Sequence, residues 1–349
     1  MRNQSDRVVE FTGPRAVRVV EVDRPEPGPD EVIVETHHSA VSSGTELLVY
    51  RGEVDASTVA DETLPALDGR LSYPVRYGYA AVGTVIDIGD RVDPAWRGRT
   101  VFGYHPHRSA FVAAPDDLVA VPDDVDRETA ALLASAETAV TFALDGAPAL
   151  GERVAVFGQG VVGLLTTAAL ATTGVETVVA VEPIAYRREL AATMGADVTV
   201  DPDRRDPVAA IREATDGVDL AVEVSGRPAT LEAAIESTRY AGRVVVGSWY
   251  GTRREAIGLG AHFHRRRVRV RSSQVSTIDP PLRGRWDRDR RHDVALSHLA
   301  ATDVSDLITH RVPVDDAPAV YEHLDARPID ARTADAKSST AVQVLFTYE

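Results

Sequence analysis

Arg153-Val-Ala-Val-Phe-Gly-Gln-Gly-Val-Val-Gly163 decides how this chain folds. Residues 153–157 are apolar and β-prone, with no charge after Arg153, and read as a short buried strand. Gly158, Gly160 and Gly163 follow in the spacing G-x-G-x-x-G. The uncharged, proline-free run Leu164–Thr173 suits a buried helix, which Gly174 ends. Thr177–Val181 reads as a second strand, with Glu182 just beyond it. Strand, glycine turn, helix, strand, acid is the order of a dinucleotide-binding βαβ unit. Gly158 allows the tight turn, Gly160 admits a pyrophosphate to the backbone, and Gly163 lets the helix pack close. Amides at the helix start, among them those of Gln159, Val161 and Val162, face phosphates with a partial positive charge. Glu182 can accept hydrogen bonds from both ribose hydroxyls of the adenosine half and would repel a 2′-phosphate, which favours NAD. Arg187 and Arg188 stand close behind and leave NADP possible.

Downstream, helix and strand alternate: helix Ala185–Met194, strand Asp197–Val200, helix Pro207–Ala214, strand Asp219–Val224, helix Ala229–Tyr240, strand Arg243–Gly247. That pattern predicts an α/β fold with a doubly wound parallel sheet. Upstream, short β-like runs with Pro and Gly breaks over residues 8–35, then Tyr77–Asp87, Arg99–Gly103 and Ala110–Ala113, predict a barrel-like β-domain. His37–Glu46 reads as a polar stretch leading into a short helix, and Arg127–Leu144 as a helix. A helix at Ala317–Asp325 and a closing strand at Ala341–Phe346 return the chain to the first domain. The expected division is 1–125, 126–285 and 286–349, with ligand in the cleft between domains, at the carboxyl ends of the parallel strands.

The chain has 349 residues, enough for two domains, and 44% hydrophobic content, ordinary for a soluble protein. No apolar run approaches a membrane span, and Met1–Asp6 is too polar for a signal peptide. There is no cysteine, hence no disulfide and no thiolate metal site, and a cytoplasmic location is the simplest reading. Acids outnumber bases 53 to 38, and the one lysine is Lys337. Acid pairs such as Asp116-Asp117 and Asp315-Asp316 read as a salt-adapted, halophilic surface rather than catalytic carboxylates. The arginines of 265–271 alternate as on an exposed strand face and pair with surplus acids, so no nucleic-acid partner is expected.

Val41-Ser-Ser-Gly-Thr-Glu46, Tyr77-Gly-Tyr-Ala-Ala-Val-Gly83, Gly89-Asp-Arg-Val92, the glycine motif, Met194-Gly-Ala196 and Thr309–Pro318 together resemble the medium-chain dehydrogenase/reductase superfamily over nearly the whole chain. Gly44-Thr-Glu46, Tyr50-Arg-Gly52 and Tyr77-Gly-Tyr79 are similar to the branch that includes bacteriochlorophyllide dehydrogenase. The resemblance implies a Rossmann sheet plus a GroES-like β-barrel-type catalytic domain, a nicotinamide cofactor, a small-molecule substrate and a homodimer. It also exposes departures. Zinc members carry Cys where Ser43 stands, Gly-His-Glu where Gly78-Tyr79-Ala80 stand, and Cys or Glu near Ala134. Ser, Tyr and Ala are poor zinc ligands, so no metal is expected. The histidine pairs His105/His107 and His262/His264 could face one way on a strand, although hydrogen-bonded or surface roles suit them better.

Without zinc, hydrogen-bond donors must manage the substrate oxygen. By resemblance Thr45 matches a proton-relay hydroxyl, and Tyr79, with Ser43, takes the place of metal ligands. Thr45 could instead cap a helix, and Tyr79 could simply wall the pocket. Glu137 is a single acid in an apolar segment, either raised in pKa for acid–base work or salt-bridged to an arginine. The acid matching Glu46 in relatives is mainly structural. For the cofactor the resemblance adds Ser225-Gly226 after the fourth strand, Ser248-Trp249 after the fifth, and Ser272-Ser-Gln274 near the nicotinamide. Tyr50, Tyr79, Trp249 and Tyr250 would line an aromatic pocket or belong to the core. The expectation is a zinc-independent NAD(P)-dependent alcohol dehydrogenase or ketone reductase. Reduction of an activated C=C bond and non-catalytic dinucleotide binding are the alternatives. For the acidic surface, raising KCl from about 0.1 M to about 1 M shortens the screening length from roughly 10 Å to 3 Å. The thermal midpoint should rise across that range in scanning calorimetry; a flat or falling midpoint would contradict salt adaptation.

Overall fold

The computed structural model describes residues 5–326 and 341–348. The stretch 327–340 of the expected C-terminal return, with Lys337, lies outside the described residues. The chain divides into two compact units.

In the first unit, β1 (Ser5–Gly13) and β2 (Ala16–Asp23) pair as an antiparallel hairpin. β3 (Val32–Val41) is the spine of a mixed sheet with β4 (Ala81–Ile88), β5 (Thr100–Gly103), β6 (Ala110–Ala113) and β7 (Leu118–Ala120). The helix α1 (Ser43–Arg51) follows β3, and α2 (Arg127–Ala130) and α3 (Leu133–Gly146) follow β7. The predicted helix over 127–144 is thus two helices: Ala131 and Leu132 bond back to residues three earlier, which tightens the turn between them. The polar stretch after residue 37 is strand up to Val41, so His37 and His38 lie in the sheet.

The second unit runs β8 (Arg153–Phe157), α4 (Val161–Ala171), β9 (Thr177–Val181), α5 (Ala185–Thr193), β10 (Val198–Val200), α6 (Pro207–Thr215) and β11 (Val218–Glu223). It continues through α7 (Thr230–Ser237), β12 (Thr238–Val246), β13 (Arg269–Ser272) and α8 (Arg288–Ala301). The strands are parallel in the order β10-β9-β8-β11-β12-β13, a doubly wound Rossmann sheet with its switch point between β8 and β11. Its strands are buried on both faces, under one cluster around Phe157, Val179 and Ile211 and another around Phe142, Val156 and Leu170. Each fully buried side chain of this size stabilises by roughly 1.5–3 kcal/mol. The predicted helix to Tyr240 stops at Ser237, because Thr238 already enters β12. In the arginine run only Arg269 and Arg271 lie on a strand; Arg267 has a positive φ of 54°, which breaks the expected alternation.

After α8 the chain returns to the first unit through β14 (Ile308–Pro313), α9 (Ala317–Asp325) and β15 (Gln343–Thr347). β15 lies between β14 and the end of β3, while the start of β3 pairs with β6. The β-domain expected before the glycine motif is this mixed sheet together with the hairpin, which bridges to the unit at Val8–Arg108 and Phe11–Val75. The observed boundaries fall after Ala134 and His298 rather than after 125 and 285. The first shift reflects α2 packing on β3 and β4. The second reflects α8 being tied into the second unit by Arg291 to Glu137 and His298 to Leu165. Among the described residues no helix is long and apolar enough to cross a membrane.

Gly83 on β4 shows how close the strands come. A Cβ there would overlap the Glu35 carbonyl oxygen and crowd Val34. Backbone cannot swing aside as a side chain can, so Gly83→Ala should destabilise the protein by about 2 kcal/mol or more. Urea denaturation would read this, and a change below about 0.5 kcal/mol would contradict it.

Candidate functional site

The glycine turn is built by close contacts. Gly158 has φ 95°, and a Cβ on it would fall 2.6 Å from Ser225 Cα. A Cβ on Gly163 would overlap Gly158 O, so α4 can lie against the turn only with glycine there. At Gly160 the Cβ direction is open, with nothing within 4 Å. Gly160 is the N-cap of α4 and supplies no side-chain cap, so the amides of Val161 and Val162 open on to that space. An anionic diphosphate fits such a cradle.

Glu182 is 4% exposed. Its Oε2 accepts the Gln159 N–H at 2.7 Å and its Oε1 the Ile184 N–H at 3.1 Å. Each oxygen keeps a lone pair for a ribose hydroxyl. The Gln159 side chain turns inward instead, bonded to Val156 O and Thr167 Oγ1, so it contributes to the turn through its backbone. Arg188 is committed to Asp201 at 3.0 Å and to Glu182 O at 2.7 Å, while Arg187 donates to Ala341 O at 2.8 Å. Gly226 N–H donates to Ser248 Oγ at 2.8 Å, which ties the loops after β11 and β12 together. Gln274 lies apart on an exposed loop, closed on Ser276.

In the first unit, the Tyr79 hydroxyl donates to Ser42 Oγ and is also hydrogen-bonded with Thr45. Ser42, one residue before the Ser43 singled out above, is therefore the serine that meets Tyr79. Thr45 lies inside the first turn of α1, which corrects the reading of it as a cap. Burial raises the Tyr79 pKa above its ordinary value, against the lowering effect of these hydrogen bonds. The phenol is a donor at neutral pH. Beneath it, fully buried Glu46 accepts the Ser42 N–H at 2.8 Å, the Tyr321 hydroxyl at 2.5 Å and His107 Nε2 at 3.1 Å. His107 Nδ1 reaches Ser39 Oγ at 2.6 Å, and Ser39 reaches Tyr348 at 2.7 Å. Ser39, His107 and Glu46 form a chain of nucleophile, imidazole and acid, but all three are solvent-inaccessible, so no substrate meets the serine. Gly78 makes room for it: a Cβ there would lie 2.6 Å from the His107 ring.

The hydrogen-bonded role expected for His107 is the one it has, whereas its partners Ser39 and Glu46, and the place of Glu223, were not read from the sequence. Those partners are distant in the chain or lie across a turn, so no local pattern joins them. His105 does not join His107; it stacks on Phe111 at 4.4 Å, and burial lowers its pKa to about 3. His262 bonds Thr238 O at 2.9 Å.

Of the two readings of Glu137, the geometry realises the ion pair. Its Oε1 accepts Arg291 Nε at 3.0 Å and Nη2 at 2.6 Å, with His292 Nε2 at 3.2 Å, all buried. An arginine held this way compensates the buried charge and ties α8 to α3.

Residues 161–287 match the family described as Zinc-binding dehydrogenase. The chain is 30% identical to L-threonine 3-dehydrogenase of Pyrococcus horikoshii over 258 residues, 65% of this chain and 70% of that protein. It is 25% identical over 337 residues to D-guloside 3-dehydrogenase of Escherichia coli, covering 91% and 95%. A crystal structure of a putative zinc-binding dehydrogenase from Sinorhizobium meliloti 1021 bound to NADP superposes with TM-score 0.77 at 23% identity, covering 99% of this chain and all of that one.

Arg291→Met removes the guanidinium from the buried Glu137 carboxylate. It should destabilise the protein by about 3 kcal/mol in urea denaturation. Adding Glu137→Gln should restore much of that loss, whereas an unchanged midpoint for Arg291→Met would show that the pair does not hold α8.

Proposed function

We propose that this chain, which belongs to the zinc-binding dehydrogenase family, is an NAD-dependent oxidoreductase that interconverts an alcohol and a ketone or aldehyde without zinc. The observation that carries the reading is the glycine turn, with its open face at Gly160 and the buried Glu182 at the end of β9. When bound there, the nicotinamide supplies or accepts the hydride. The α4 amides bind the diphosphate, and Glu182 orients the adenosine ribose. NAD rather than NADP follows from the Glu182 charge and from the engagement of Arg188 by Asp201.

The family name implies a metal, and the residues here do not fit one. The positions that match the zinc ligands hold the Ser43 hydroxyl, the Tyr79 phenol and the methyl group of Ala134. The phenol is already hydrogen-bonded with Ser42 and Thr45. The chain contains no cysteine, and no group of three or more His, Asp or Glu among the described residues could hold a metal ion. The chain's own task is the substrate oxygen and its proton. In the ketone direction the Tyr79 O–H turns from Ser42 Oγ to the substrate oxygen and gives it a proton as hydride reaches the carbon; Ser42 or Thr45 then passes its hydroxyl proton to the tyrosine oxygen and is re-protonated from water, and alcohol oxidation runs the same exchange in reverse. A homodimer joined along β13 suits the sheet, because β13 is its edge strand and all four residues are exposed.

The test combines metal analysis of the purified protein with a panel of alcohols, ketones and enones, followed through cofactor absorbance. Alcohol oxidation with NAD, no stoichiometric zinc, and a kcat lowered about 100-fold in Tyr79→Phe are the expected results. One tightly bound zinc per chain would overturn the zinc-free reading. Turnover of enones alone would replace alcohol oxidation with C=C reduction.

A further inference from the structure

Glu223 is the last residue of β11, on the flank of the switch point, and is fully buried. It is a carboxylate held by neutral groups in the hydrogen bonds the structure shows. Oε1 accepts the Ser225 N–H at 2.9 Å and the Ser225 hydroxyl, and Oε2 accepts the Tyr250 hydroxyl at 2.5 Å. The Glu223 carbonyl takes the amides of Gly247 at 2.9 Å and Ser248 at 3.2 Å. Ser248 in turn accepts Gly226 N–H and is hydrogen-bonded with Tyr250, while Arg253 holds Gly226 O at 3.0 Å. One acid thus fixes the loops that leave β11 and β12.

The arrangement also reaches the glycine turn. Ser225 is the residue against which Gly158 packs too closely for any Cβ. The Ser225 backbone is therefore held between the Glu223 carboxylate on one side and the turn on the other. A buried carboxylate left without its donors is costly, so the loops cannot relax independently of the acid. Burial and the Glu223 charge push the Tyr250 hydroxyl above its ordinary range, so it stays a donor at working pH.

We propose that Glu223 and Tyr250 are positioning residues that hold Ser225, Gly226 and Ser248 against the glycine turn for the nicotinamide half of the cofactor. This rests on the reading of the turn as a dinucleotide site. On the same reading the adenosine ribose is held by Glu182 at the end of β9, across β8 from the two loops.

The experiment titrates NADH and ADP separately into the full chain and its variants by calorimetry. ADP reports the half held by the turn and Glu182; NADH adds the nicotinamide half. Tyr250→Phe and Glu223→Gln should each weaken NADH about tenfold while leaving the ADP Kd within about twofold. The double variant should be no weaker than Glu223→Gln alone, because both act through one acid. Should Glu223→Gln fail to fold, Tyr250→Phe removes only one hydroxyl and carries the test. NADH binding unchanged in Tyr250→Phe would overturn the proposal, as would equal losses for NADH and ADP, which is the signature of general loosening. Wild-type protein that binds neither NADH nor NADPH would overturn the dinucleotide reading itself, and this proposal with it.

Discussion

Backbone meeting backbone without an intervening side chain is the constraint on which the second unit depends. Gly163 lies on Gly158 O, and Gly158 lies on Ser225. These contacts set the distance between α4, β8 and the loop after β11, and any Cβ at either glycine forces them apart. The parallel sheet amplifies the effect, since β8 is hydrogen-bonded to both β9 and β11. The amides of α4 can face a diphosphate only because the helix begins this close to the end of its strand.

Much of this was legible in the sequence. The pattern from Arg153 to Glu182 fixed strand, turn, helix and acid, and the structure places β8, α4 and β9 there. Periodicity is a local signal, and it served wherever an element is settled locally. It failed at Thr238–Tyr240, where helix and strand propensities compete and pairing in the sheet decides. Local alternation marks the strands of the first unit but not their partners: β4, β6 and β15 all pair with β3, and β15 comes from the far end of the chain.

Side-chain roles were less legible, and the buried acids show why. Glu46, Glu137, Glu182 and Glu223 are all removed from water, yet each is stabilised differently. Glu137 is paired with a guanidinium, and that makes it structural. Glu182 is held by two amides and keeps lone pairs for a ligand. Glu223 is held by hydroxyls and an amide from two loops. Glu46 takes an imidazole, a phenol and the amide that opens α1. An acid in an apolar run signals burial; only its partners, mostly distant in sequence, say what the charge does.

The hydroxyl cluster of the first unit follows the same logic. A metal ion fixes a substrate oxygen by charge, and a phenol does so by a directed hydrogen bond, which must be held in place to be effective. Tyr79 is held from two sides. Ser42 and Thr45 bind its hydroxyl, and Glu46 binds the Ser42 backbone from below. Glu46 is anchored in turn by Tyr321, which packs on Phe11 at 5.0 Å and Tyr50 at 5.7 Å in the core of the unit. The position of the donor therefore traces back through one carboxylate to aromatic packing. Burial, which makes that packing stable, also keeps the phenol protonated, so one physical cause fixes both the place of the hydroxyl and its protonation.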